Sequence, residues 1–523
     1  MSREQWMEAA KERGLKEGVP VAVKAGKANV LIVRAGGRIC ACGHECTHYG
    51  GPLSDGLLVG HVITCPWHNA RFDVRDGKMV SPPALDGVIS YPVKVESGAV
   101  FIGPGKPPAP PTIGSGDDRT FVIVGAGAAG NACAETLRQE GFGGRILLIT
   151  AEADGPYDRP ALSKDFMAGE LSRRALPLRK PDFYEGRRIE LLTGRRVTEF
   201  DARARTVSFT DGGSVKFDCA LLATGGMPRK ADIPGADLAG FFLLRSLHDA
   251  EAITDAVAEA ERVVILGAGF IGMEAASSLR SRGLEVHVVA PGRAPMEKVF
   301  GEQIGSWLQQ RHEENGVRFY LGNVAKAVNG KGKVQEVLLA DGTRIVTDAV
   351  VAGLGIVPAV DYIRDAGLVE NGAVPVNGRL QTKADGVYAA GDIAVVPDRH
   401  TGEPQRVEHW VVAERQGQHA ARAMLGSDAV YSAVPFFWTR QFGTSVKYAG
   451  FARQYDKLAV RGGIEDGDFL AGYYSSGRLK AISGVGRAQE FIALCEILKA
   501  GGTVSPEELQ DEGVDLREVM ARA

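Results

Sequence analysis

Residues 46–68 read CTHYGGPLSDGLLVGHVITCPWH. A Cys-x-His pair, Cys46 and His48, is followed after sixteen residues (49 to 64) by a Cys-x-x-His pair, Cys65 and His68. Two thiolates and two imidazoles make a ligand set for a soft or borderline transition metal. GGPLSDG (50–56) after the first pair supplies a tight, flexible turn, and FDVRDGKMVSPPA (72–84) after the second supplies a proline-containing loop. A competing register, Cys42 with His44, leaves twenty residues before Cys65 and has no glycine–proline turn directly behind it. Cys40, Cys42 and His44 are therefore read as the end of the preceding strand and its turn. A structural zinc site uses the same donors, although its ligands more commonly pair as Cys-x2–4-Cys and His-x3–5-His.

Around this stretch, VPVAVKA, ANVLIVRA, GRICAC, HVITC, ARFDV, VISYPVKV and AVFIG are short β segments separated by Gly, Asp and Pro turn signals. They predict a small all-β domain over residues 1–103. GPGKPPAPPTIGSGDD (103–118) then changes composition abruptly and reads as a semi-extended linker over 104–118. A chain of 523 residues is too long for one core. Four of its seven cysteines crowd into Cys40–Cys65, which is metal usage in a reducing compartment more than a disulfide framework, and the cytoplasm is the expected location. A net charge of −3 gives no reason to expect nucleic acid. No apolar run approaches the roughly eighteen residues of a membrane span, and the N-terminal MSREQWMEAAKERG has no signal-like apolar core.

Beyond the linker the pattern becomes strand, glycine loop, helix, and it occurs twice. RTFVIVGAGAAGNACAETLRQEG carries Gly125, Gly127 and Gly130, and ERVVILGAGFIGMEAASSLRSRG carries Gly267, Gly269 and Gly272. Each is a G-x-G-x-x-G after an apolar strand and at the start of a helix, where backbone N–H groups can hold a pyrophosphate. The strand after the first motif, RILLIT, ends near Glu152, where a carboxylate would meet an adenosine ribose. The strand after the second ends in Ala290, with Arg293 close behind. An acid there favours NADH and an Arg accommodates the 2′-phosphate of NADPH, so the donor is NADH or NADPH on these residues.

The tract HECTHYGGPLSDG…CPWHNARFD resembles the Rieske ferredoxin family. That resemblance implies a [2Fe–2S] cluster on Cys46, His48, Cys65 and His68, with histidines replacing cysteines on one iron. The positions that carry an extra loop disulfide in high-potential Rieske proteins are here Gly51 and Trp67, which implies a ferredoxin-like cluster. LLATGGMPR (221–229), VYAAGDIA (387–394), PYDRPALSK (156–164), VEHWVVAERQGQHAA (407–421) and PFFWTRQFG (435–443) make residues 119–523 similar to the ferredoxin reductase family, within the pyridine nucleotide-disulfide oxidoreductase fold. The whole chain resembles Rieske-bearing, apoptosis-inducing-factor-like flavoproteins.

The resemblance implies a multidomain fold: an all-β Rieske domain, then an α/β flavoprotein with two Rossmann-like units and an α+β C-terminal domain. FAD is expected on residues 119–245 and 355–430, NAD(P)H on 246–354, with an interface domain at 431–523. By the same resemblance Thr224 and Gly225 form a turn at the FAD, Asp392 binds the ribityl chain, and Trp410 lies near the flavin ring. Lys164 would approach the isoalloxazine and pair with Glu274, steadying charge as hydride arrives. NADH is favoured over NADPH on the family pattern. Cys133, Cys219 and Cys495 are isolated and read as buried thiols, so no redox-active cysteine pair supports disulfide reduction.

These features predict an NAD(P)H-dependent flavoprotein oxidoreductase passing electrons through FAD to its Rieske cluster, to an external ferredoxin or oxygenase, or to both. The alternative is a redox-gated binding flavoprotein whose oligomeric state, a homodimer for example, reports NAD(P)H. The basic run RRALPLRK (173–180) is a solvated face or a patch for an acidic partner.

Overall fold

The structure is a computed structural model and describes residues 6–364 and 367–522. The N-terminal domain holds two four-stranded antiparallel layers and a three-stranded one. One layer is built on Val21–Ala25, Ala28–Ala35 and Arg38–Gly43, and the other runs from Leu57–Val59 to Met79–Ser81. The core between them is Leu31, Val33, Cys42, Ile63 and Phe72, all at most 1% exposed. The expected β domain is present and starts earlier than its strongest β segments suggest. Met7–Lys11 pairs antiparallel with Ala99–Ile102, so the charged N-terminal run contributes a strand.

Two parallel five-stranded sheets follow. In the first, Thr120–Val124 lies between Arg145–Ile149 and Cys219–Leu222, with Ile189–Leu192 and Val387–Ala389 at the edges. In the second, Arg262–Leu266 lies between Glu285–Ala290 and Ala349–Ala352, with Val317–Leu321 and Phe241–Leu243 outside. Phe241–Leu243 therefore belongs to the second sheet, and the boundary expected at 245 falls before residue 241. Its apolar FFL run pairs with another strand of that sheet, a non-local choice that leaves no local signal. Residues 436–485 form a five-stranded antiparallel sheet backed by the helix Ala488–Ala500.

The linker is pinned at both ends. Ser90 and Lys106 exchange backbone hydrogen bonds of 2.9 and 2.8 Å, and Gly114 N–H donates to Gly141 O at 2.9 Å. Polar contacts dock the β domain on the rest of the chain. Arg71 pairs with Glu496 at 3.0 Å, Arg415 Nε donates to Ser81 Oγ at 3.1 Å, and Arg179 bridges Asp86 and Glu135 at 2.6 Å each. The basic run 173–180 thus spends Arg179 on the chain's own N-terminal domain. Among the described residues, no helix is long and apolar enough to cross a membrane.

Candidate cluster and dinucleotide sites

Cys46 and His48 sit on the loop leaving the strand Arg38–Gly43, and Cys65 and His68 on the turn between Val62–Thr64 and Arg71–Asp73. Each loop closes on itself beside its cysteine: Cys46 N–H donates to Gly51 O at 2.9 Å, and Cys65 N–H to Ala70 O at 2.8 Å. Asn69, with φ of 59°, makes the left-handed turn that ends the second loop. The two loops face each other. The Cys46 and Cys65 thiols are hydrogen-bonded, and His48 Nδ1 lies 3.0 Å from His68 Nδ1.

The arrangement fits a two-iron cluster. Two nitrogens each about 2.1 Å from one metal, near a right angle, stand about 3 Å apart, which the Nδ1 pair matches. Burial holds His48 down to about 4 and His68 down to about 2, so both rings are neutral and present lone pairs. The hydrogen bond from Cys46, with backbone N–H groups of Trp67 and His68, holds Cys65 down to about 7, while that bond and burial push Cys46 up. Among the described residues no three His, Cys, Asp or Glu side chains converge on one ion position. A tetrahedral zinc would need four ligands at one point; a thiol pair beside an imidazole pair suits two irons with two protein ligands each. His44 is turned away, its Nε2 2.8 Å from Ser54 Oγ, and Cys42 is wholly buried in its strand.

Gly51 has no room for a side chain. An added Cβ would lie 2.9 Å from Cys65 Sγ and 3.0 Å from the Trp67 ring. The two positions matched to a loop disulfide are thus adjacent, with an indole filling the gap. Gly51→Ala is expected to lower iron content per protein at least severalfold, read by iron assay, while FAD content stays unchanged.

The histidine edge points into the rest of the chain. The Trp438 indole packs on His68 at 4.2 Å between centroids and lies 6.1 Å from His48. Tyr49, next to His48, donates its hydroxyl to Asp158 on the PYDRPALSK loop. Lys447 donates to the Pro66 carbonyl between Cys65 and Trp67. A cavity of about 810 Å³ opens here, lined by Tyr49, Trp67, His68, Lys164, Trp438 and Lys447 among others. It brings a candidate cluster ligand and the candidate flavin-side lysine to one space.

The two glycine motifs have equivalent geometry. Gly125 N–H donates to Ile149 O and Gly267 N–H to Val289 O, both at 2.8 Å. Gly125 and Gly267 have φ of 108° and 103°, which turn the chain. A Cβ on Gly130 would meet Gly125 O at 1.8 Å, and one on Gly272 would meet Gly267 O at 2.0 Å, so these glycines let helix and strand pack. In front of Gly127 and Gly269 nothing lies within 4 Å. Each opens the N-terminus of a twelve-residue helix, Ala128–Gln139 or Phe270–Ser281, with no side-chain cap on its N–H groups. The open cradle and free donors fit a pyrophosphate at both sites.

The remaining candidates fall around these cradles. Gly225, with φ of 65°, leaves space into which Arg245 reaches, and Arg245 pairs with Asp392 at 2.9 Å. Thr224 Oγ1 donates to Ala359 O at 2.7 Å. Glu152 accepts from Tyr157 at 2.5 Å and pairs with Arg159 at 2.7 Å; these bonds and charges hold its carboxyl low against its burial. Trp410 opens the helix Trp410–Met424, where Gly417 packs against Ala129 of the first glycine helix. Lys164 and Glu274 stand 2.8 Å apart, 13% and 4% exposed, and Glu274 also accepts from Ser163 and Thr439 at 2.5 and 2.8 Å. Lys164 sits in a π-helical turn with non-helical φ and ψ of −115° and −111°. At the second site Ala290 is buried and Arg293 is exposed; its backbone N–H donates to Glu297 at 3.0 Å. Tyr49, Asp158, Trp438, Lys447 and Arg245 were not singled out from sequence, because their partners lie far away in the chain.

Residues 119–417 match the pyridine nucleotide-disulphide oxidoreductase family. The chain belongs to that family. Residues 5–92 match the Rieske [2Fe-2S] domain and residues 436–520 the reductase C-terminal domain. Apoptosis-inducing factor 3 of Homo sapiens is 34% identical over 515 residues, covering 95% of this chain and 84% of that protein. The benzene 1,2-dioxygenase system ferredoxin–NAD(+) reductase subunit of Pseudomonas putida is 33% identical, covering 76% of this chain and 97% of its own. The covalent putidaredoxin reductase–putidaredoxin complex superposes with a TM-score of 0.75 at 32% identity, over 78% of this chain and 99% of that one. This oxidoreductase is accordingly a flavoprotein that uses FAD and NAD(P)H and carries a Rieske [2Fe–2S] domain.

Proposed function

We propose that this oxidoreductase takes electrons from NADH and delivers them singly, by way of its own Rieske domain, to a ferredoxin or an oxygenase component. The contact of Trp438 with His68, in a cavity shared with Lys164, carries this reading: the edge of the candidate cluster loop and the loop that carries Lys164 open on one space. FAD accepts a hydride and gives up electrons one at a time, and a [2Fe–2S] centre holds one, so together they join a two-electron donor to a one-electron acceptor.

The residues would divide the work as follows. Gly127 and Gly269 leave their helix N-termini open for the two pyrophosphates. Arg245 holds Asp392 in place beside the Gly225 turn, where the carboxylate can accept from a ribityl hydroxyl. The Lys164–Glu274 pair, fixed by Ser163 and Thr439, presents a largely buried ammonium at the flavin-side loop, where it favours negative charge arriving at the ring. Cys46 and Cys65 would bind one iron, His48 and His68 the other. The name of the Pseudomonas putida relative, a ferredoxin–NAD(+) reductase subunit, supports NADH as donor and a ferredoxin as acceptor. The preference over a redox-gated binding module rests on the cavity, which gives an acceptor a route to His68.

The test is an anaerobic titration of the purified protein with NADH and, separately, NADPH, following flavin absorbance and iron electron paramagnetic resonance (EPR) together. Growth of the EPR signal of the reduced iron centre after the flavin begins to bleach supports the order; a cluster that stays oxidised beside fully reduced flavin defeats it. In the same assay Trp438→Ala is expected to slow cluster reduction about tenfold or more, the factor that ~1.4 kcal/mol on a barrier represents, with flavin reduction unchanged.

A further inference from the structure

We infer that Lys447 sets the reduction potential of the Rieske cluster, its ammonium compensating the negative charge that an electron adds there. This rests on the reading above that Cys46, His48, Cys65 and His68 hold a [2Fe–2S] centre. Lys447 is not part of the cluster domain. It lies on Thr444–Gly450 of the C-terminal sheet, directly opposite Trp438 on Phe436–Gln441. Directly opposed residues project to the same face of a sheet, and this pair grips one loop: Trp438 covers His68, and the Lys447 ammonium binds the Pro66 carbonyl two residues earlier. The cation is thus fixed between the two ligands of the CPWH turn by the docking of two domains.

A cation drawn out of water is costly unless something pairs with it. Burial pushes the Lys447 ammonium down, and the sulfurs of Cys65 and Cys495 work against that shift. Burial pushes the Cys495 thiol up to about 12, so the negative charge that the ammonium can meet is the charge that forms on the Cys65 side, where the cluster would sit. The Phe491 ring, 5.9 Å from the ammonium, adds a weak cation–π contact. Two ferric irons, two sulfides, two thiolates and two neutral imidazoles sum to zero charge, and one added electron makes the centre an anion. The lysine therefore has its best partner only after the electron arrives. A neighbouring charge of this kind is among the levers that set such potentials, and here it is supplied by the reductase body.

The experiment is a redox titration of the full-length holoprotein, with the cluster read by EPR and FAD by absorbance in the same cell. Lys447→Gln is expected to move the cluster midpoint negative by a tenfold or larger change in its reduction equilibrium, about 59 mV per factor of ten for one electron. The FAD midpoint stays in place, and Lys447→Arg restores the wild-type value. Lys447→Met, which keeps the stem without the charge, serves if the Gln variant does not assemble its cluster. An unchanged midpoint in a neutral variant with an intact EPR signal overturns the inference, and so does an equal shift in the Arg variant, since packing and not charge would then be responsible. Absence of a Rieske signal from the wild-type protein would instead overturn the cluster assignment beneath it.

Discussion

His68→Ala is expected to abolish the [2Fe–2S] EPR signal while FAD stays bound and reducible by NADH. The ring supplies one of the two Nδ1 atoms that stand 3.0 Å apart, and its loss leaves one iron with a single protein ligand. No other His, Cys, Asp or Glu among the described residues completes a three-ligand group that could take over. The cluster domain should survive the change, because its core is Leu31, Val33, Ile63 and Phe72, not the histidines. The proposed FAD cradle should survive too, since Gly127 and its helix pack on a different sheet. Reductive titration should then consume one electron fewer per chain than the wild type. Turnover with a protein one-electron acceptor should fall about 100-fold or more, the upper end of what outer-shell metal-site changes cost. His44→Ala is the control: the His44 ring hydrogen-bonds Ser54 and not a candidate ligand, so its loss should leave the signal intact. A variant lacking His68 that still accepts the same number of electrons, or loss of the signal with His44, would shift the ligand set and defeat the assignment.

The candidate sites were legible in the sequence to the extent that their geometry is local. Gly125, Gly127 and Gly130 lie within one strand-to-helix turn, so backbone geometry dictates them over six residues. Cys46–His48 and Cys65–His68 are each fixed by one loop, and the spacing of the loops follows from the hairpin between them. Lys164 and Glu274 are 110 positions apart, and family resemblance, not pattern, joined them; the structure places them 2.8 Å apart. What could not be read is how the domains face each other. Tyr49 on Asp158, Trp438 on His68, Lys447 on Pro66 and Arg179 on Asp86 are ordinary residues until a second domain arrives. The boundary error at 241–243 has the same origin, since a three-residue strand takes its identity from the neighbour it pairs with.

Gly269→Leu should separate electron entry from everything downstream. At Gly272 a Cβ would strike the Gly267 carbonyl at 2.0 Å, so substitution there breaks helix–strand packing and tests folding. A Cβ added at Gly269 would meet nothing within 4 Å, so a side chain can leave the backbone there without a clash and occupy the space where a pyrophosphate would approach the helix N-terminus. The backbone φ of −85° is open to any residue, and the change introduces no strain. The nucleotide loses one or two charge-assisted hydrogen bonds, each worth about 1.5–3 kcal/mol. KM for NADH should therefore rise about 10- to 10⁴-fold, with FAD and iron content unchanged. Photochemical reduction bypasses the nucleotide and should still reduce flavin and cluster in the variant as in the wild type, which isolates the defect at entry. The matching change Gly127→Leu has the same open surroundings at the other cradle and should instead yield a folded protein without FAD. If Gly269→Leu lost FAD and Gly127→Leu lost only NADH, the two cradles would have to exchange cofactors. If neither substitution affected either cofactor, the open glycine turns would be packing devices alone.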